Sequence, residues 1–262
     1  MAEYKKVKYY YDAALAKDLA EKIQQHYPAF DQTQFVGMVA DAVEDLELKA
    51  RVTIFADALR ACLPDDFAEA AVILHKILGP ENQKETGMFT EGYWLMPVAY
   101  FVEKYGLDHY DESVTLIYEI TKRHTGEFAV RPFIEKYQTS MLTLMETWSQ
   151  DESFHVRRLA SEGVRPRLPW AKKMDVFIKS PELILPILEN LKEDDSRFVQ
   201  KSVANCLNDI LKDNQAFAMD VIQRWGQSNN KNTHWIVKHA LRNELKKKNP
   251  EAQAIITHLG DD

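Results

Sequence analysis

The sequence repeats one pattern three times, as DESFHVRRLASE at residues 151–162, DDSRFVQKSVAN at 194–205 and NTHWIVKHALRN at 232–243. Aligning Val156, Val199 and Ile236 separates the copies by 43 and 37 residues. That spacing matches the helix pairs of HEAT-type repeats, which recur every ~40 residues. Such pairs bury their apolar faces by stacking on their neighbours. The pattern therefore predicts an all-α fold, an alpha-alpha superhelix built as a HEAT-like repeat solenoid.

Helical periodicity extends along the rest of the chain, whereas alternating β-branched runs bounded by Asn-Gly or Asp-Gly turns do not occur. The apolar spacing and the Pro and Gly breaks predict these elements: helices at Asp12–His26, Phe35–Leu46, Leu48–Cys62 and Phe67–Leu78, a loop at Glu81–Gly92, helices from about Leu95 to Lys248, and a short final helix after Pro250. We expect a single domain over residues 1–262, with its most motif-rich part at 120–214.

The charge is distributed unevenly, although the chain as a whole carries a net charge of −7. Residues 1–120 have a balance of −10, residues 121–180 a balance of +4 and residues 231–248 a balance of +5. A polyanion responds to charge within a Debye length of about 8–10 Å, so a local basic patch matters more than the total. The distribution is compatible with binding to nucleic acid and also with basic residues scattered over solvated helix faces.

A cation recurs two residues after the aligned apolar position of each repeat, as Arg158, Lys201 and Lys238. Each should point away from the core, and stacked repeats would place the three along one concave basic face. Such a row fits the phosphates of a duplex. It also fits contacts between neighbouring repeats, and the sequence leaves both interpretations open.

Two glutamates occupy unusual places in the stretch 121–170. Glu127 follows Thr125-Gly126 and is expected in the first turn of the next helix, where the helix dipole favours a carboxylate. Glu162 precedes Gly163 and is expected in the last turn of its helix, where the dipole disfavours it. A nearby arginine, from Arg157, Arg158, Arg165 or Arg167, would have to compensate. A structural salt bridge is the alternative to a catalytic role.

The segment Arg165-Pro166-Arg167-Leu168-Pro169-Trp170 cannot be regular helix, because its prolines impose extended geometry. It would project two guanidinium groups, which suit phosphate recognition, and an indole, which can offer its π-face to a cation. A tryptophan at a junction between loop and helix is otherwise a plug for the core.

These strings resemble a known family. HTGEFAVRPFIEKY, WSQDESFHVRRLASEGVRPRLPWA and SVANCLNDILKDN are similar to the AlkC branch of the AlkC/AlkD DNA alkylation-repair glycosylases, most strongly from about Ile120 to Asn214. The resemblance implies a HEAT-like solenoid that holds duplex DNA. It implies base-excision repair, in which a monofunctional glycosylase hydrolyses the N-glycosidic bond of cationic N3-alkylated bases, chiefly 3-methyladenine and also 3-methylcytosine. Some AlkC proteins carry an immunoglobulin-like domain after the repeats, which we do not expect here.

By position, the resemblance implies that the catalytic residues are Glu162, Glu127 and Trp170. The DNA-binding residues expected from the resemblance, the basic loop and the repeat are Arg158, Arg157, Arg165, Arg167, Lys201, Trp235 and Lys238. No Cys/His pattern with ligand spacing and no glycine-rich phosphate loop occurs, so we expect neither a metal nor a cofactor. The expected partner is alkylated double-stranded DNA, bound by a monomer.

We expect the protein in the bacterial cytoplasm, because no apolar run is long enough for a membrane span and no secretory signal is recognisable. Two functions of other classes remain open. One is a HEAT-repeat protein that binds DNA without catalysis, and the other is a protein-interaction scaffold. Residue types and spacings alone do not separate them from an enzyme, whereas the family resemblance favours the enzyme.

Overall fold

The computed structural model describes residues 5–86 and 92–260, and the regular structure within them consists of α-helices and short 3₁₀ turns, without strands. The predicted all-α class is therefore confirmed. The chain divides into two compact units, residues 1–133 and residues 134–262, and the division falls within the helix Val130–Lys136. Part of the predicted loop, residues 87–91, lies outside the described residues. The single domain and the concave basic face stay predictions.

The first unit is built from helices that pack largely on their neighbours along the chain. Their bounds are α1 Ala13–Gln24, α2 Gln32–Ala40, α3 Leu48–Cys62, α4 Phe67–Lys76, α5 Met96–Tyr105, α6 Tyr110–Thr121 and the start of α7, Val130–Lys136. Helix α3 packs on α2 and α5, and α6 packs on α4 and α5. Asp12, Asp31 and Asp66 cap α1, α2 and α4 by accepting backbone N–H bonds, each worth about 1 kcal/mol.

Helix α2 is shorter than its apolar stripe suggests, because it ends at Ala40 and the chain then turns. Buried Arg51 contacts the turn that follows. Its guanidinium donates to the carbonyls of Glu44 at 2.6 Å, Leu46 at 2.8 Å and Tyr11 at 3.0 Å. The arginine thus supplies donors to two carbonyls of the turn between α2 and α3. The stripe from Phe35 to Leu46 is thus a helix followed by a turn.

The second unit contains the three repeated segments, which fall on α9, α12 and α14. The helices after α7 are α8 Gln138–Trp148, α9 Phe154–Gly163, α10 Asp175–Lys179, α11 Leu185–Leu191, α12 Arg197–Asp213, α13 Gln215–Trp225, α14 Lys231–Ala240, α15 Arg242–Lys246 and α16 Pro250–Leu259. Helix α12 packs against both α9 and α14. The aligned residues Val156, Val199 and Ile236 are each fully buried. The sequence repeat therefore corresponds to a repeated packing position.

The first residues of α12 and α14 lie at different positions of the repeated pattern. Ser196 caps α12 and accepts the N–H of Val199 at 3.3 Å. Helix α14 begins earlier than its copy of the pattern, because Asn230 is its cap and accepts the N–H groups of Asn232 at 2.8 Å and Thr233 at 3.3 Å. Asn232 therefore lies inside the helix. In the described residues, no helix combines the length and the apolar character that crossing a bilayer requires.

Candidate active site

Glu162 lies in the last turn of α9, as predicted, and its carboxylate is buried among donors. Arg165 donates from Nη1 to Oε1 at 2.7 Å, and Nη2 of Arg158 lies 3.6 Å from the same oxygen. Ser202, on the neighbouring α12, donates from Oγ to Oε2 at 2.5 Å. Two arginines and a hydroxyl therefore compensate the unfavourable end of the helix dipole. Of the four arginines named as compensators, Arg158 and Arg165 contact Glu162 directly.

The charge of Glu162 is retained in spite of its burial. Burial by itself raises the pKa of this carboxyl, but the charges of Arg158 and Arg165 and the hydrogen bonds from Ser202 and Arg165 hold the pKa below its ordinary value. Glu162 is therefore ionised at neutral pH. A negative charge held in a buried site can stabilise a positive charge that develops next to it.

Arg165 connects Glu162 to a second carboxylate that the sequence reasoning did not single out. Its Nε donates to Oδ2 of Asp209, on α12, at 2.8 Å. Asp209 is almost completely buried and also accepts from Nζ of Lys212 at 2.8 Å. One sequence signal could have found it, because Asp209 is an acid between the apolar residues Leu207 and Ile210. The site thus holds two carboxylates bridged by one buried arginine.

Two other predicted DNA-binding arginines use their donors inside the protein. Arg157 donates to both oxygens of Asp194, at 2.6 and 3.2 Å, and to the carbonyls of Asp151 and Glu152. Arg167 donates to both oxygens of Asp213, at 2.6 and 2.5 Å. Both side chains therefore have carboxylate partners other than Glu162, although the charge of Asp209 also acts on Arg167.

The remaining predicted DNA-binding residues lie on α12 and α14. Lys201 is exposed, at the position on α12 equivalent to Arg158 on α9. Trp235 stacks on His239 with ring centroids 4.8 Å apart and an angle of 9° between the planes. Lys238 donates from Nζ to the carbonyl of Gly260 at 2.9 Å. That these three residues contact DNA stays a prediction.

Trp170 is not a plug for the core. It follows α9 in the proline-containing loop, and 62% of its surface is exposed. Its φ of 64° puts it in the left-handed region, which costs a residue with a side chain about 1–3 kcal/mol. An exposed indole on a strained backbone is more typical of a ligand contact than of a packing residue.

Glu127 lies in the first unit and is almost completely buried. It precedes α7 rather than forming its first turn, because the helix begins at Val130. The hydroxyl of Thr125 donates to its Oε2 at 3.1 Å and accepts its backbone N–H at 3.3 Å. Gly126 permits this turn, since a Cβ there would lie 2.7 Å from the side chain of Ile117.

A further acid of the first unit, Glu103 on α5, was also missed. Burial raises its pKa to about 7, against the lowering effect of the positive charges on Lys49 and Arg131. Nothing in the sequence around Glu103 distinguishes it from a surface glutamate. In residues 5–86 and 92–260, no three His, Cys, Asp or Glu side chains are grouped so that they could hold a metal ion.

The chain is similar to a family of DNA repair enzymes, to a bacterial protein and to a solved structure. The family profile described as DNA alkylation repair enzyme matches residues 12–243. The uncharacterized protein YhaZ of Bacillus subtilis is 36% identical over 263 residues, which cover 100% of this chain and 70% of YhaZ. The solved structure of Pseudomonas fluorescens alkylpurine DNA glycosylase AlkC, bound to DNA containing an abasic site analog, superposes with a TM-score of 0.87 at 32% identity. That match covers 97% of this chain and 69% of AlkC.

Proposed function

The chain belongs to the DNA alkylation repair enzyme family, and on this premise we propose that it is a DNA glycosylase that releases cationic N3-alkylated bases from duplex DNA. We name 3-methyladenine as the first substrate and 3-methylcytosine as the second. The similarity to an alkylpurine DNA glycosylase supports this reaction class. The observation that carries the proposal is the buried Glu162, ionised and held by Arg158, Arg165 and Ser202.

The reaction breaks the bond between C1′ of the sugar and the base nitrogen, and water supplies the new oxygen at C1′. Alkylation at N3 gives the base a formal positive charge, so it departs as a neutral molecule without being protonated. The sugar acquires oxocarbenium character as the bond breaks. The catalyst must therefore stabilise a cation and orient the water, which loses its proton to the surrounding solvent as the new bond to C1′ forms.

We assign Glu162 mainly to the first of these tasks. A carboxylate with a lowered pKa is a weak base, but it is a good fixed countercharge for an oxocarbenium-like sugar. Glu127 is the second carboxylate of the proposal, with a role in orienting the water. Trp170 would contact the cationic nucleotide through its π-face, an interaction worth about 0.5–2 kcal/mol.

The decisive experiment measures base release from a duplex containing 3-methyladenine in single turnovers. We expect wild-type release to exceed the spontaneous rate and Glu162→Gln to lose about 100- to 1000-fold, the usual effect of removing a preorganised countercharge. Glu146→Gln is the matched control, because Glu146 is an exposed acid of the same unit. Thermal melting of each variant verifies folding.

Two outcomes would contradict the proposal. Absence of release by a wild-type protein that binds duplex DNA would point to a non-catalytic DNA-binding protein, and absence of both would point to a scaffold. Full activity of Glu162→Gln would remove the assignment of Glu162 and leave the glycosylase activity standing.

A further inference from the structure

The arginines of the second unit differ in their charge partners. Most of them form ion pairs within 4.0 Å of a carboxylate, as Arg157, Arg158, Arg165, Arg167 and Arg224 do. Arg197 and Arg242 form no ion pair with any carboxylate of residues 5–86 and 92–260. Arg242 instead donates to the carbonyl of His239 and to the side chain of Asn205. Two arginines without a direct ion pair therefore lie where α12 meets α14 and the start of α15.

Arg197 has a defined position in spite of its exposure. Its Cζ lies 4.1 Å from the centre of the Trp235 ring, and Trp235 stacks in turn on His239. The guanidinium therefore lies over the indole, an arrangement that stabilises the cation and restricts its rotamers.

Cations lie near the foot of this stack, whereas the carboxylate of Asp195 accepts a hydrogen bond from Asn232 at the start of α14. Lys201 lies one helical turn after Arg197 on α12 and is exposed. Burial lowers the pKa of His239, and the positive charges of Arg242 and Lys201 lower it further, which indicates a positive potential at the foot of the stack.

We propose that Arg197, held on the face of Trp235, is a phosphate-binding residue of the DNA site, and that Trp235 is its platform and not a stacking surface for a base. This inference rests on the proposed function, because duplex DNA is the polyanion concerned. A guanidinium whose face is covered still presents its N–H edge, which matches two phosphate oxygens. Since its rotamer is already restricted, binding would cost less ordering entropy.

The first test compares binding to a duplex that carries a tetrahydrofuran abasic-site analogue. Arg197→Gln should weaken binding about 10-fold near 0.1 M salt, the loss of one charge-assisted contact. It should also reduce the slope of log K against log salt by about 0.9, the value for one phosphate contact. The rate of base release at saturating DNA is measured beside binding, and a loss confined to that rate with unchanged affinity would contradict a phosphate-binding role.

Arg224→Gln is the matched control, since Arg224 is an exposed arginine of the same unit with carboxylate partners Asp220 and Glu189. It should bind within about twofold of wild type. If Arg197→Gln has the affinity and the salt slope of wild type, the inference about Arg197 is wrong. If wild type still releases the base, the proposed function stands. Wild-type protein that neither binds the duplex nor releases a base would overturn both.

A double-mutant cycle tests the platform. If Trp235 acts through Arg197, Trp235→Leu should weaken binding about as much as Arg197→Gln, and the double variant should be no weaker than either alone. Trp235→Phe retains an aromatic face and should recover part of the affinity. Additive losses would overturn the platform role and make Trp235 an independent contact.

Discussion

At the scale of single residues, Ser202 has a larger influence than its small side chain suggests. It is buried on α12, donates to Oε2 of Glu162 and accepts a hydrogen bond from the hydroxyl of Ser161 at 2.7 Å. Arg165 holds the other oxygen. Because both oxygens are held, the carboxylate has one orientation, and each repeat supplies part of the restraint.

Ser202→Ala should therefore shift the pH dependence of base release. The hydrogen bond from Ser202 lowers the pKa of Glu162, so removing it raises that pKa. On acidification the carboxylate is then protonated at a higher pH, so the acid limb of the rate profile moves to higher pH. At neutral pH we expect a loss of about 3- to 10-fold, from a less well-positioned carboxylate.

The measurement is a single-turnover profile from acid to neutral pH, corrected for spontaneous release. Ser202→Thr retains the hydroxyl and should keep the acid limb of wild type. Superimposable profiles for Ser202→Ala and wild type would contradict the role of this hydrogen bond.

The arginines show what sequence reasoning could and could not predict at this scale. Residue type and loop context identified a basic cluster around Glu162, and the need to compensate its charge was predicted correctly. The sequence did not reveal which carboxylate faces each guanidinium, because Asp209 and Asp213 approach from 44 and 46 residues away. Arg165 and Arg167 looked like free phosphate ligands for that reason.

At the scale of the elements, local chemistry was the most predictable part of the fold. The bounds of α3 match the prediction from Leu48 to Cys62. The end of α2 did not, because the chain turns after Ala40 and two carbonyls of that turn accept hydrogen bonds from Arg51, a contact that depends on packing. The start of α14 lies before its copy of the repeat, because Asn230, which precedes that copy, caps the helix.

Asn230→Ala should destabilise the protein by about 1 kcal/mol, because two N–H groups at the start of α14 lose their acceptor. Urea unfolding measures the change in the free energy of unfolding. Asn229→Ala is the control, since Asn229 is exposed just before the cap, and it should change the stability by less than about 0.5 kcal/mol. Equal effects of the two substitutions would contradict the assignment of the cap.

At the scale of the whole molecule, the distribution of charge is partly explained by pairing. The sequence predicted basic regions at 121–180 and 231–248 within a chain of net charge −7. In the described part of the second unit, carboxylates pair with many of these cations, and the arginines without an ion pair are Arg197 and Arg242. A count of charges along the chain therefore overestimates the number of groups available to a polyanion.

The predicted single domain also has a test at this scale. One continuous helix, α7, contains the division between the two compact units, and helices unfold cooperatively. Trp94 lies in the first unit, whereas the other four tryptophans of the sequence lie in the second. We expect urea unfolding curves from tryptophan fluorescence and from far-UV circular dichroism to coincide. Separate midpoints would mean that the units unfold as two domains.

The strained backbone at Trp170 has a consequence for the history of such proteins. A glycine at this position would adopt its φ of 64° without steric strain, so the backbone conformation favours replacement of the tryptophan. On the proposed function, only selection for repair keeps a large aromatic residue there. We therefore expect lineages no longer under that selection to replace it with glycine or asparagine earlier than they lose the buried carboxylates, an order that a phylogeny of active and inactive relatives would reveal.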